Sequence, residues 1–192
     1  MIAELSTIVK TLGAKLLEWR LHGRTSGRWE GAQFKAQADK SAHDFLAGEL
    51  SCLAPKIPVI SEEDEHSLSI ERPRQYWLID PIDGTASFAQ GYSGFVTQVA
   101  LIVDHTPHLA AIYAPVFDAL YVAERNQGAF LNGSKLCCSH YRESKILIDN
   151  YPEPRGITLA AYSALKFTRY IECGSIALKI CKVADGTADL FF

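Results

Sequence analysis

Ile2, Leu5, Val9, Leu12, Leu16 and Trp19 recur at three- and four-residue steps along the start of the chain. That spacing puts them on one face of an amphipathic helix, which packs against its own domain. Residues 22–31 are polar and glycine-rich and read as a mobile loop. A second helix is predicted from near Asp39 through Phe45, Leu46, Leu50 and Leu53, closed off by Pro55 and Pro58.

Beyond Pro58 the period shortens. Pro58-Val59-Ile60 and Tyr76-Trp77-Leu78-Ile79 are short apolar runs, and each ends on acidic residues. Residues 95–103, 108–113 and 120–123 read as strands separated by turn residues, and 128–131 as a short strand before the Asn132-Gly133 turn. Another strand starts at 146–148, after the polar stretch 139–145. Residues 175–184 read as a helix ended by Asp185-Gly186, and 188–192 as a strand. The fold class is α/β in a layered α+β arrangement, helices against sheet. The polar stretch marks a domain boundary. It separates an N-terminal α+β unit, 1–140, from the start of a C-terminal α/β unit, 141–192.

Composition narrows the function classes. The 192 residues, 48% hydrophobic, suffice for one domain, or one and part of a second. A net charge of −3 and a pI near 6.1 give no general attraction to nucleic acid or to an acidic membrane. A small anionic substrate answers to a local field and stays open. Met1-Ile2-Ala3-Glu4-Leu5 has no basic segment before an apolar run, and no stretch is long and apolar enough to span a bilayer, so a cytoplasmic location is expected. The five cysteines lack the CxxC pairs of a zinc site and read as buried, reduced thiols, with Cys137-Cys138 a vicinal pair.

The candidate chemistry lies where the apolar runs end. Ile60 leads into Ser61-Glu62-Glu63-Asp64, and Ile79 into Asp80-Pro81-Ile82-Asp83. Strands packed side by side would gather Glu62, Glu63, Asp80 and Asp83 into one volume. Such crowding is costly without a cation, or forces the carboxylates to take up protons. All-oxygen ligation with retained water favours magnesium. Taken singly, the acidic run reads as a solvated loop and Asp83-Gly84 as a turn; placed together after two strands, they favour a metal. Gly84-Thr85-Ala86-Ser87-Phe88 can start a helix whose first-turn amides attract phosphate oxygens. Gly84 permits close approach, and the Thr85 hydroxyl can orient a water.

Trp77-Leu78-Ile79-Asp80-Pro81-Ile82-Asp83-Gly84-Thr85, followed by Phe88, closely resembles the first signature of the inositol monophosphatase family, which includes 3'(2'),5'-bisphosphate nucleotidases. Ile60-Ser61-Glu62-Glu63, Ala38-Asp39, Tyr113-Ala114-Pro115-Val116, Gly128-Ala129-Phe130 and the segment from Gly174-Ser175 to Asp189 extend the likeness over nearly the whole chain. The resemblance implies the family's alternating helix and sheet layers, the second domain incomplete here. It implies Glu62, Asp80, Asp83 and the Ile82 carbonyl as Mg2+ ligands, with Asp39 beside a more weakly held metal. Glu63 and Thr85 would activate the water. Gly84 and Thr85 amides would hold phosphate, and Gly174 and Ser175 would touch the rest of the substrate, a plain helix start with the serine near its cap being the equal alternative.

The reaction implied is hydrolysis of a small phosphate monoester by direct in-line attack of water, with two or three magnesium ions and no phosphoenzyme. Tyr113-Ala114-Pro115-Val116 and Lys179 lean towards the bisphosphate nucleotidases, the gap-free fit from Gly174 to Gly186 towards the inositol monophosphatases. The nucleotidase branch has a slight edge. Self-association as a homodimer is compatible with either. The family's second signature, Trp-Asp, is absent after Trp77, so truncation before it is expected. A non-catalytic binder of metal or phospholigand, or an inactive fragment, is the alternative from another class. Phe34-Lys35-Ala36-Gln37 departs from the family's usual Pro-Val-Thr run ahead of Asp39.

Overall fold

The computed structural model describes residues 1–30, 33–137 and 145–192. Helix α1 (Ile2–Leu21) takes up the opening three-and-four pattern, burying Leu5, Val9, Leu12 and Leu16 completely. Strands β1 (Gly27–Glu30) and β2 (Gln33–Ala36) then pair antiparallel, Trp29 opposite Phe34. The reading of 22–31 as a loop is corrected here: Gly27 and the three residues after it are strand. The polar composition hid a two-residue alternation too short to stand out. Helix α2 (Gln37–Leu53) starts two residues ahead of Asp39, which falls in its first turn.

The main sheet has seven strands in the order β3-β4-β5-β6-β7-β8-β9. They are β3 (Val59–Ser61), β4 (Gln75–Asp83), β5 (Val96–Val103), β6 (Thr106–Ala114), β7 (Ala119–Glu124), β8 (Gly128–Leu131) and β9 (Ser134–Lys135). Only the β3–β4 pair is parallel, with Ser61 opposite Ile79; the remaining strands follow one another antiparallel. Between β3 and β4 lies a short helix, α3 (Glu65–Ser69), capped where Asp64 Oδ1 accepts from the His66 N–H. Helix α4 (Thr85–Gln90) follows β4 directly.

A second sheet joins β10 (Ile146–Asp149), β11 (Arg169–Glu172) and β12 (Leu190–Phe191), all parallel, with β10 in the middle. Helices α5 (Gly156–Ala164) and α6 (Ile176–Ala184) complete the chain. Neither α5 nor β11 stood out in the sequence: α5 buries only Thr158, and the four residues Arg169-Tyr170-Ile171-Glu172 lack a run of apolar positions. The boundary expected in 139–145 falls largely on residues outside those described.

Sheet alternation divides the core into layers. Val99 and Leu101 on β5, with Leu109, Ala111 and Tyr113 on β6, face α1 and α2. Val96 and Ala114 face the other way and pack with Ile146, Ile148, Cys173, Leu178 and Cys181 of the second sheet and α6. One sheet thus serves two cores. Cys173 and Cys181 are buried, as expected of the thiols, and burial pushes Cys173 up to about 11 and Cys181 to about 12. Cys52 and Cys137 are exposed, against that expectation, and Cys138 lies outside the described residues.

Helix α1 lies so close to β6 that Gly13 has no room for a side chain: a Cβ there would stand 2.4 Å from the Tyr113 ring and 3.1 Å from Pro115 Cβ. Gly48 in α2 has nothing within 4 Å of that position. Alanine is the better helix former by about 1 kcal/mol, and overpacking costs about 1–3 kcal/mol. Gly48→Ala should therefore raise the thermal midpoint and Gly13→Ala lower it. Shifts of the same sign in the two melting curves would contradict the close packing of α1 on the sheet.

Candidate active site

The parallel pair β3–β4 brings its two carboxyl-terminal ends side by side, so the acidic residues that follow Ser61 and Ile79 meet. Beyond Ile79 the register slips. Asp80 faces Gln98 and Asp83 faces Val96, three steps on β4 against two on β5. A bulge of this kind re-aims side chains. Ile82 turns into the core, while Asp80 and Asp83 line a cleft of about 700 Å3 together with Glu62, Glu63, Gly84 and Thr85.

Asp80 is the most perturbed of these. Its Oδ2 accepts from Gln98 Nε2 at 3.0 Å, but its buried Oδ1 has no donor of its own. Burial, then the adjoining Glu62 carboxyl, then the charge of Asp83, push the Asp80 carboxyl up to about 9. A proton on Asp80 lets it donate to the neighbouring carboxylate and relieves the repulsion. A cation is the other way to relieve it. Asp83 is held differently: its Oδ2 accepts from Ser175 Oγ at 2.7 Å and from the Ala177 N–H at 2.8 Å.

Thr85 Oγ1 donates to the Ile82 carbonyl at 2.9 Å, with Asp39 Oδ1 3.5 Å away. Asp39 thus stands against Thr85, almost wholly buried in the first turn of α2. Gly84 has φ of 88°, and a Cβ on it would come within 2.6 Å of the Gly94 carbonyl, so the entry to α4 requires glycine. Gly174 lines the cleft, whereas Ser175 is fully buried as the cap of α6.

The fit to a hard cation is partial in this conformation. Among the described residues no three His, Cys, Asp or Glu side chains form a ready-made metal-ligating group. Glu62 and Asp80 are in contact, and Asp83 bears on them through its charge while one of its oxygens is tied to α6. The donors are all oxygen, and the unpartnered Asp80 Oδ1 is the atom a cation would satisfy. The Ile82 carbonyl accepts one hydrogen bond and keeps a second lone pair. The chemistry of the set fits magnesium, with the remaining positions left to water.

The opposite wall was not anticipated. Asn150 and Tyr151 follow the end of β10, and Glu172 ends β11. Both are parallel strands whose carboxyl ends open on the cleft, the usual place for a ligand in such sheets. The signal was the one used for Ile60 and Ile79, and Asn150 could have been found by it. Behind this wall, buried Lys179 donates to Asn150 Oδ1 at 2.8 Å, and the Arg155 guanidinium lies 3.2 Å from the centre of the Tyr151 ring.

Comparison with known proteins agrees with the architecture. A model of the inositol monophosphatase family matches residues 4–192. The 3'(2'),5'-bisphosphate nucleotidase CysQ of Aggregatibacter actinomycetemcomitans is 34% identical over 164 residues, 81% of this chain and 61% of that protein. Inositol monophosphatase 3 of Solanum lycopersicum is 28% identical over 174 residues, 81% of this chain and 62% of that protein. The crystal structure of the extragenic suppressor protein suhB of Bartonella henselae superposes with a TM-score of 0.79 at 26% identity, covering 97% of this chain and 75% of that one. The chain spans about 60% of the length of the curated relatives it matches. Sequence, layer order and the carboxyl ends of β3 and β4 agree on one assignment: the chain belongs to the inositol monophosphatase family.

Proposed function

We propose that this chain carries the metal and phosphate site of a magnesium-dependent phosphomonoesterase. The observation that carries the reading is the contact of Asp80 with Glu62 in a cleft, one buried oxygen of Asp80 without a donor. Such a contact has little value for stability and fits a cation site. A 3'(2'),5'-bisphosphate nucleotide is the substrate class favoured, supported by the nucleotidase relative named above; an inositol monophosphate is the alternative, supported by the tomato relative. A division near residue 140 would put the carboxylates on the first unit and the wall of Asn150 and Glu172 on the second.

Magnesium would be held by Glu62, Asp80, Asp83 and the Ile82 carbonyl, and when bound it supplies charge neutralisation for phosphate and a lowered pKa for water. The chain's own residues do the rest. Thr85 Oγ1 donates to Ile82 O or to Asp39, so its lone pairs are left to accept from water and fix its direction. Glu63, which lines the same cleft, would take the proton. The first-turn amides at Gly84 and Thr85 would meet the phosphate oxygens, which the bare Gly84 backbone allows to come close.

Two outcomes follow. Thr85→Val keeps the branching and removes the oxygen. It should leave the magnesium dissociation constant nearly unchanged while slowing phosphate release from adenosine 3',5'-bisphosphate by about a hundredfold or more. The assay belongs on the protein expressed from its complete gene, with inositol monophosphate run alongside. Full turnover in the variant would remove Thr85 from the mechanism, and no hydrolysis of either ester by the wild type would remove the phosphatase reading.

The second concerns Asp80. Its folded-state pKa, about 9, lies above its unfolded value of 3.8, so across that window the folded form holds the extra proton. Stability of the metal-free protein therefore falls as pH rises between the two values. Asp80→Asn removes that cost, and should melt above the wild type in chelator near neutral pH. In magnesium the order should reverse, since occupancy at a hundredfold excess over the dissociation constant adds about 2.7 kcal/mol to the wild type alone. Melting curves that keep the same order in both conditions would contradict the assignment.

A further inference from the structure

The carboxylate of Asp83 is not free to turn. Its Oδ2 accepts from Ser175 Oγ and from the Ala177 N–H, at 2.7 and 2.8 Å, across more than ninety residues of chain. Ser175 is wholly buried, and its Oγ in turn accepts from the Leu178 N–H at 2.9 Å as the cap of α6. A hydroxyl has one proton to give, and here it goes to Asp83. Ser175 therefore has neither the exposure nor the proton for a substrate contact.

The loop bearing Ser175 has no slack. A Cβ on Gly174 would stand 2.0 Å from Ser87 Oγ, and one on Gly94 would stand 2.7 Å from the Gly174 nitrogen. Backbone sits on backbone from α4 through Gly94 to the start of α6. The two donors to Asp83 are thus held from behind.

We propose that Ser175 is a positioning residue that ties down Oδ2 of Asp83, leaving this carboxylate one oxygen to offer a cation, and that the clasp thereby selects magnesium over calcium. The inference rests on the proposed reading of Asp83 as a ligand. Magnesium takes about six oxygens in a tight octahedron and keeps several waters, so a one-oxygen carboxylate suits it. Calcium takes about six to eight oxygens at longer range and commonly uses both oxygens of a carboxylate. To serve calcium in that way Asp83 would have to release Ser175 and leave the Ala177 N–H poorly paired in a buried site, which is unfavourable.

The test is calorimetric titration of magnesium chloride and of calcium chloride, separately, into the wild type, Ser175→Ala and Ser175→Thr. The alanine variant frees Oδ2 from its hydroxyl donor, and should shift the ratio of the two dissociation constants towards calcium by about tenfold, the size expected for one charge-assisted hydrogen bond. The threonine variant keeps the hydroxyl and should restore the wild-type ratio. Loss of the helix cap alone would weaken both ions alike and leave the ratio where it was. Should the alanine variant fail to fold, Ser175→Cys, of similar size and with a weaker donor, is read in the same way. Magnesium binding with an unchanged ratio in the alanine or cysteine variant overturns the clasp and leaves the metal site standing. A wild type that binds neither ion overturns the reading of Asp83 as a ligand and the clasp with it.

Discussion

Two carboxyl groups in contact, partly buried Asp80 and exposed Glu62, form the constraint around which the rest of the molecule is arranged. They meet because β3 and β4 run parallel, the one parallel pair in a sheet otherwise antiparallel. An antiparallel pairing would send the residues after Ile60 and after Ile79 to opposite ends of the sheet. The bulge after Asp80 then lets Ile82 stay in the core while Asp83 reaches the cleft two strand-steps from Asp80 on the neighbouring β5. Helices α1 and α2 cover one face of this sheet and place Asp39 behind Thr85.

The cleft is electrically lopsided. Glu62, Glu63, Asp80 and Asp83 lie along the β3–β4 side. On the other side the cations stand one layer back, Lys179 behind Asn150 and Arg155 on the ring of Tyr151. A phosphate ester would thus need a cation on the first side; on the second it would meet Asn150 and Tyr151, backed by positive charge, beside the single carboxyl of Glu172. The hydrogen bond from Ser175 to Asp83 ties the carboxylate side to the start of α6.

Much of this was legible in the residues themselves. Helices α1, α2 and α6 and most strands of the main sheet follow from period alone, because each buries a regular face. The carboxylates of the floor were legible for a different reason: each follows an apolar strand, and strand ends collect ligands. What escaped had weak local pattern. The β1–β2 hairpin is short and polar, α5 buries one side chain, and β11 has no apolar run. The burial of Ser175 escaped as well, since a serine before a helix reads equally as a cap or as a ligand contact. Only the tertiary placement of Asp83 shows which way its hydroxyl turns. Likewise nothing in the spacing of Asp39 and Thr85 foretold their contact.

The central claim is that Asp80, against Glu62 at the ends of β3 and β4, holds a proton whose place a metal takes. Metal binding at such a site must expel that proton. Magnesium titrations in two buffers of different ionisation enthalpy, at matched pH near neutrality, measure the number of protons released on binding. The account predicts release of about one proton for each first ion bound. Binding with no release would mean that Asp80 does not hold the proton, and that the ion sits elsewhere.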